Sequence, residues 1–168
     1  VVLSVKGLCG GSFQDVSFEL NRGEIIGFAG LAGAGRTEVM RAIFGADPIL
    51  EGEIYLNGSK MHPQNTKDSI ERGIGYLPED RKAQGLFLEM SISDNISSAH
   101  MNQAGRGIFL DDKRLLTESE KYKEQLRVAT PSVRQKVVNL SGGNQQKVVF
   151  ARWLMVNPRI MIVDEPTR

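Results

Sequence analysis

Residues 24–37 read EIIGFAGLAGAGRT, and this stretch sets the architecture. Glu24 to Ala29 is apolar enough to form a strand buried on both faces, as strands of a parallel sheet are. Three glycines follow, and Thr37 to Phe44 then carries apolar residues at the spacing of one helical face. The pattern predicts a buried strand, a glycine-rich loop and a helix, the repeating unit of an α/β fold.

The loop has the spacing of a phosphate-binding loop, in which four residues separate two glycines and a basic and a hydroxyl residue follow. Glycines let backbone N–H groups converge on phosphate oxygens, and the next helix directs its positive dipole end at the same anion. A glycine-rich turn that binds nothing is the alternative. The predicted phosphate-binding residues are Gly30, Leu31, Ala32, Gly33, Ala34, Gly35, Arg36 and Thr37, and the Thr37 hydroxyl is also a predicted Mg²⁺ ligand.

A second motif lies near the other end of the chain, where residues 160–165 read IMIVDE. A buried strand here would place Asp164 at the carboxyl end of the sheet, where a carboxylate can bind Mg²⁺ directly or through water. Glu165 would polarise a water for in-line attack on a γ-phosphate. Alone, an apolar run that ends in two acids is weak support, since acidic residues end many strands.

A third motif, LSGGNQQK at residues 140–147, puts a serine, two glycines and several amides at a predicted helix start. Backbone N–H groups at such a position favour anionic oxygens. Alone, the segment is also consistent with an ordinary N-cap and turn. The predicted ligand-binding residues of this segment are Ser141, Gly142, Gly143 and Gln145.

The remaining chain alternates strand and helix signals. Strand patterns fall at Val16 to Leu20, Glu53 to Leu56 and Ile74 to Leu77. Asn57-Gly58 predicts a tight antiparallel hairpin turn after the second of these. Residues from about 91 to 140 lack strong strand signals and include a charged helical run at 111–126. We therefore expect one domain over residues 1–168, with a mainly parallel sheet core, an antiparallel β edge and an inserted helical subdomain.

Composition argues against two classes of function. With 21 Lys and Arg against 20 Asp and Glu, the net charge of +1 gives no electrostatic reason to expect nucleic acid as the main partner. The longest apolar stretches are far shorter than the roughly 20 residues of a membrane span. The single cysteine, Cys9, has no partner for a disulfide, which fits a reducing compartment.

Taken together, GLAGAGRT, LSGGNQQK and IMIVDEPTR resemble the ABC ATPase family over nearly the whole chain. The resemblance implies a P-loop NTPase fold that binds ATP and Mg²⁺, with Thr37 and Asp164 at the metal and Glu165 as the catalytic residue. It also implies a head-to-tail pair of cassettes, in which each ATP lies between one P-loop and the Ser141 segment of the other. The family's D-loop and switch histidine would follow Arg168.

Three sequence features resemble the second, carboxy-terminal cassette of the tandem ATP-binding subunits of monosaccharide importers. They are the NQQK ending, arginine at position 36, and YLPEDRK at 76–82. This resemblance implies a second cassette in the same polypeptide, integral membrane permease subunits as partners, and a peripheral position on the cytoplasmic side of the cell membrane. No nucleic acid partner is expected.

Two positions depart from the family pattern. Arg36 replaces the usual lysine with a bulkier, planar and more diffuse cation, so hydrolysis should suffer more than binding. Glu79 stands where the family usually has glutamine, and its carboxylate can reach Mg²⁺ or its water while adding negative charge. We expect this cassette to lend a working Ser141 segment to its partner while its own site turns over slowly. Phe13 is the nearest candidate to stack on adenine and suits a buried strand equally well.

Two other functions are open on the sequence. A soluble ABC ATPase that acts on ribosomes or DNA would call for clustered basic residues, which the near-neutral charge disfavours. A regulatory or structural module would bind ATP without turnover. Co-purification with membrane proteins, and phosphate release by the full-length protein, distinguish these functions from transport.

Overall fold

The computed structural model describes residues 1–31, 33–99, 105–106, 109–110 and 112–165. The chain divides into two compact units, Val1–Arg72 and Gly73–Arg168. Among the described residues, no helix is both long and apolar enough to cross a membrane.

The first unit is built on a four-stranded antiparallel sheet with the strand order β2-β1-β3-β4. Its strands are β1 Leu3–Cys9, β2 Val16–Leu20, β3 Glu51–Leu56 and β4 Ser59–Met61. β3 and β4 form the predicted hairpin, and its turn residues Asn57 and Gly58 have positive φ angles of 50° and 79°. Two positive φ angles are what a two-residue turn needs to match the twist of its strands. Leu3, Val5 and Ile54 are buried on this sheet.

Two helices complete the first unit. α1 spans Arg36–Ile43, in agreement with the predicted helix, and buries Val39, Ala42 and Ile43. α2 spans Thr66–Glu71 and follows Asn65, whose side chain accepts a hydrogen bond from the N–H of Asp68. An asparagine N-cap satisfies one of the N–H groups that the first helical turn leaves unpaired.

The second unit pairs the parallel strands β5 and β8 and adds helices that lie between them in sequence. The elements are β5 Ile74–Leu77, a π-helical turn Arg81–Gly85, α3 Ile92–Ser97, β6 Gly105–Arg106, β7 Phe109–Leu110, α4 Asp112–Gln125, a 3-10 turn Val137–Asn139, α5 Gly142–Val156 and β8 Ile160–Val163. α3, α4 and α5 pack against one another. The predicted helical insertion therefore also contains a short hairpin, β6–β7, that the sequence did not indicate.

The predicted strand at Glu24 to Ala29 is wrong. These residues form no strand, and Ile25 is 95% exposed. A strand requires a neighbour that pairs with its N–H and C=O groups, and no described strand pairs with this stretch. Phe28 instead packs edge-on against Phe18 of β2, with ring centroids 5.0 Å apart. In the described residues the parallel sheet is limited to β5 and β8.

The sequence pattern does not indicate β1, because the alternation of this strand is interrupted. The pairing of β1 with β2 shifts register between Val5 and Leu8, and its pairing with β3 shifts between Lys6 and Cys9. Gly7 lies inside both shifts with a positive φ of 56°. A bulge of this kind adds a residue to one strand and destroys the period of two that marks strands in a sequence.

Candidate functional site

The predicted phosphate loop lies in the first unit as a tight turn that leads into α1. The N–H of Ala34 closes the turn by donating to the carbonyl of Leu31 at 3.1 Å, and Gly33 and Gly35 have φ angles of 79° and 82°. At Gly35 a Cβ would also lie 2.9 Å from the carbonyl oxygen of Ser12. Glycine is therefore required at this position for both conformation and space.

The amino end of α1 carries no capping side chain. Gly35 is the N-cap residue, and no side chain accepts a hydrogen bond from the first turn. Because the first N–H groups of a helix have no partner inside the helix, they attract an anion together with the helix dipole. Arg36 and Thr37 occupy this first turn and are half-buried. Leu31 is 85% exposed, and Ala32 lies outside the described residues.

The side chain of Arg36 runs back along the loop. A Cβ placed on Gly30 would lie 3.7 Å from Cδ of Arg36 and 3.3 Å from Cβ of Ala34. The aliphatic part of the arginine therefore lies beside Gly30, at an ordinary contact distance from the position of such a Cβ. The loop and its cation thus form one local arrangement that suits a phosphate group.

A cavity of about 640 Å³ opens beside the loop within the first unit. Its size is that of a small-molecule pocket, for which about 300–1,000 Å³ is typical. Loop residues and small or aromatic residues line it together, among them Ala34, Gly35, Arg36, Phe28 and residues 10–14. Phe13 borders this cavity but is buried, with its ring against Gly10. Its assignment to adenine stays a prediction.

Three predicted acids follow the parallel strands of the second unit at one edge. Leu77 and Val163 pair at the last register position of β5 and β8, and the N–H of Asp164 donates to the Leu77 carbonyl at 2.9 Å. Asp164 and Glu165 therefore leave β8 at the edge where Glu79 follows β5. The carboxyl edge of parallel strands is where ligands bind in α/β proteins.

Tyr76 holds the carboxylate of Asp164, a contact that sequence reasoning missed. The Tyr76 hydroxyl donates to Oδ2 of Asp164 at 3.1 Å from a buried position in β5. Oδ1 of Asp164 accepts no hydrogen bond from the part of the chain that the structure describes. This contact depends on the register of β5 against β8, which pairs Tyr76 with Ile162 and which no local pattern reveals.

Glu165 is exposed and has a left-handed backbone, with φ at 47°. For a residue with a side chain this conformation costs about 1–2 kcal/mol. Strained backbone of this kind concentrates at functional sites. Asp15, Asn57, Arg127 and Asn157 have similar positive φ angles, so the catalytic role of Glu165 stays a prediction.

The donor set of the second unit fits a magnesium ion that arrives with a phosphate ligand. In the described ranges, no group of three or more His, Cys, Asp or Glu is arranged to hold a metal alone. Mg²⁺ does not require such a cage, because it keeps several waters and is bound through one or two carboxylates plus substrate phosphates. Asp164, with Tyr76 on one carboxylate oxygen, suits that mode.

The Ser141 segment forms the start of α5. Ser141 is the N-cap residue, but its side chain caps no N–H group and instead accepts a hydrogen bond from Nδ2 of Asn144 at 3.0 Å. Gly143 has open space where a Cβ would lie. No side chain therefore caps the first N–H groups of this 15-residue helix, and their role in binding an anion stays a prediction.

Two neighbouring residues refine the picture of this helix start. A Cβ on Gly142 would lie 2.6 Å from Nη2 of Arg81, so the glycine leaves room for that guanidinium. Gln145 is buried, and its Nε2 donates to the carbonyl of Val137 at 3.3 Å. The Gln145 side chain therefore packs against the 3-10 turn. The sequence predicts an exposed amide beside Ser141 instead.

Sequence comparisons agree with the motifs of both units. The model of the ABC transporter family matches residues 13–168. A putative ribose/galactose/methyl galactoside import ATP-binding protein of Geobacillus kaustophilus is 48% identical, and a ribose import ATP-binding protein of Rubrobacter xylanophilus is 52% identical. Both alignments cover 100% of this chain and 34% of the relative. The chain thus spans about a third of the length of these relatives.

Solved ATP-binding cassettes share the fold. A dimeric cassette in a post-hydrolysis state with ADP and phosphate matches 98% of this chain and 74% of its own, with a TM-score of 0.79 and 22% identity. A nucleotide-free cassette from an ABC transporter matches 99% of this chain and 70% of its own, with a TM-score of 0.80 and 21% identity. At such identity the likeness concerns the fold alone. The predicted α/β, P-loop NTPase fold of an ABC ATPase is confirmed.

Proposed function

Because the chain belongs to the ABC transporter family, we propose that it is an ATP-binding domain that couples ATP binding and hydrolysis to the uptake of a monosaccharide. The phosphate loop carries this proposal, since it combines a glycine-only position at Gly35 with an uncapped helix end. The import functions named for the two relatives support transport. Because the chain spans about a third of those relatives, the substrate and partners of the complete protein are part of the proposal.

The residues divide the work on one ATP. The loop N–H groups and Arg36 bind the phosphates. Thr37 and Asp164 are the proposed magnesium ligands, and Glu79 reaches the ion or its water. When bound, Mg²⁺ neutralises charge on the phosphate oxygens. Glu165 orients the water that attacks the γ-phosphate.

Hydrolysis at this chain's own loop is proposed to be slow. The planar guanidinium of Arg36 cannot take the place of a compact ammonium between two phosphate groups. Glu79 adds a negative charge close to a polyanion, which further disfavours the bound triphosphate. The uncapped start of α5 at Ser141 supports a role for this segment as an anion site. This cassette therefore serves chiefly the ATP of a partner cassette.

The proposed partners are a second cassette in the same polypeptide and integral membrane permease subunits. The sequences of residues 76–82 and 140–147 support the proposal that this chain is the second cassette. An exposed apolar turn supports a protein partner, because Phe87 is 55% and Met90 46% exposed. We place the chain on the cytoplasmic side of the membrane, at its surface.

The test is sugar uptake by the complete ATP-binding protein, reconstituted with its membrane subunits in lipid vesicles. ATP-dependent accumulation of labelled ribose or galactose is expected for the wild type, and Ser141→Arg should abolish it by filling the anion site of α5. Thr117→Arg is the control, because it adds the same charge to an exposed position on α4. ATP binding without phosphate release would instead indicate a regulatory module. Co-purification with ribosomes or DNA would indicate a soluble ATPase.

A further inference from the structure

Asn95 and Arg152 make a buried contact that the proposed mechanism does not use. Asn95 lies on α3 with no exposed surface, and Arg152 lies on α5 with 8% exposed. Nε of Arg152 donates to the Asn95 carbonyl at 2.8 Å, and Nη2 lies 3.4 Å from Oδ1 of Asn95. Two polar side chains from different helices thus meet inside the second unit.

The amide of Asn95 also pairs with the backbone of Phe87. Oδ1 accepts from the Phe87 N–H at 2.8 Å, and Nδ2 donates to the carbonyls of Phe87 and Ser91, each at 2.9 Å. Every polar group of the amide therefore has a partner. A further bond, from Met90 N–H to Phe87 carbonyl at 3.0 Å, closes residues 87–90 as a turn. The turn is fixed to α3 at its first residue.

The apolar side chains of this turn stay exposed although its backbone is held firmly. Phe87 and Met90 are both largely accessible, and the guanidinium of Arg152 lies 6.0 Å from the Phe87 ring centroid. Val138 adds a third exposed apolar side chain, and its N–H donates to the carbonyl of Leu88 at 2.9 Å. An exposed aromatic on a hydrogen-bonded turn is suited to anchor a partner, because little backbone freedom is lost on contact.

Packing alone does not account for an arginine at position 152. Burial lowers the pKa of the Arg152 guanidinium to about 10, so the group is still charged at neutral pH. No carboxylate in the described part of the chain offsets that charge. Because a buried charge that is hydrogen-bonded but has no opposite charge beside it costs free energy, an apolar side chain of similar length would stabilise the core more.

We propose that Asn95 and Arg152 are positioning residues that transmit movement of the 87–90 turn to the amino end of α5. Arg152 follows Gly142 by ten residues, a distance of about 15 Å at the rise of an α-helix. A shift of the turn therefore moves the Ser141 end as part of one rigid helix. The inference rests on the proposed transport function, with a membrane subunit as the partner that contacts the turn.

The test compares ATPase rates of the complete protein with and without its membrane subunits. In Arg152→Met the basal rate and the KM for ATP stay at wild-type values, and the unfolding midpoint stays within about 4 °C. Stimulation by the membrane subunits falls about fivefold or more, the lower range for coupling between two sites. Arg152→Lys keeps the charge and one donor for Asn95 and retains part of the stimulation.

Two further variants separate transmission from packing. Ser93→Ala removes the buried 3.1 Å hydrogen bond to Ser119 and lowers the unfolding midpoint, but it leaves stimulation intact. Phe87→Ala lowers stimulation, and adding Arg152→Met to it causes no further loss, since both act in one linkage. Wild-type stimulation in Arg152→Met overturns the inference, and so does equal loss in Ser93→Ala. If wild-type ATPase does not respond to membrane subunits at all, the proposed function itself fails.

Discussion

The hydroxyl of Tyr76 offers the sharpest test at the scale of a single residue. Tyr76→Phe keeps the ring in β5 and removes the 3.1 Å bond to Asp164. Because a hydrogen bond to a charged group contributes about 1.5 kcal/mol, up to about tenfold more Mg²⁺ should be needed for half-maximal nucleotide binding. Titration of a fluorescent ATP analogue with Mg²⁺ measures this without relying on turnover.

Tyr122→Phe is the matched control for that titration. The Tyr122 hydroxyl donates to the carbonyl of Leu154 at 3.2 Å, so the variant loses a comparable bond at another place in the second unit. We expect its Mg²⁺ requirement to equal that of the wild type. Equal changes in the two tyrosine variants would argue against a specific role for Tyr76.

Gly35 and Gly33 separate backbone strain from lack of space in the phosphate loop. Both have positive φ, so alanine at either position costs about 1–2 kcal/mol of strain. Only at Gly35 would the added Cβ also meet the Ser12 carbonyl, whereas Gly33 has open space. Gly35→Ala should therefore lower ATP affinity and the unfolding midpoint more than Gly33→Ala, as calorimetry and thermal unfolding would measure. The opposite order would contradict the loop geometry.

At the scale of an element, the last turn of α1 is tied to the loop that follows it. Nε and Nη2 of Arg41 donate to the two carboxylate oxygens of Asp47 at 2.7 and 2.8 Å. The hydrogen bond from Arg41 holds the pKa of Asp47 below its usual 3.8. The stabilisation is therefore complete above pH 3.8 and is lost as the pH falls through the lowered pKa of the folded state.

Asp47→Asn should lower the free energy of unfolding at pH 7 by about 0.5–1 kcal/mol, the value of a partly exposed ion pair. The difference from the wild type should vanish as the pH falls below the pKa of the folded Asp47. Urea unfolding at a series of pH values measures both effects. Glu71→Gln is the control, because its 3.8 Å ion pair with Lys67 is exposed and should contribute less. A difference that persists in acid would rule out the ion pair as its cause.

At the scale of the whole molecule, the proposed roles of the phosphate loop and of the Ser141 segment predict variants of unequal effect. If this cassette mainly serves its partner's ATP, Ser141→Arg should abolish transport by the complete protein, whereas Arg36→Ala should reduce it less. The physical reason is that Arg36 contributes to a site already slow in hydrolysis. Uptake in vesicles, normalised to the amount of assembled complex, measures both. Equal and complete loss in the two variants would contradict the division of labour.

Local sequence was sufficient for the elements whose cause lies within a few residues. Backbone preferences of a few adjacent residues account for three such features. They are the hairpin turn at Asn57-Gly58, the loop glycines and the helix that starts after Ser141. The three motifs likewise predicted the fold class through their resemblance to the ABC ATPase family. The single-domain organisation over residues 1–168 stays a prediction.

Contacts between distant segments became visible only in the folded chain. Glu24 to Ala29 has the composition of a strand, but composition supplies no partner for its hydrogen bonds. The Tyr76–Asp164 bond and the buried Asn95–Arg152 contact join residues 88 and 57 positions apart, and each depends on how strands or helices pack. Periodic patterns report the neighbours of a residue along the chain, whereas pairing and packing depend on which remote surface comes to lie against it.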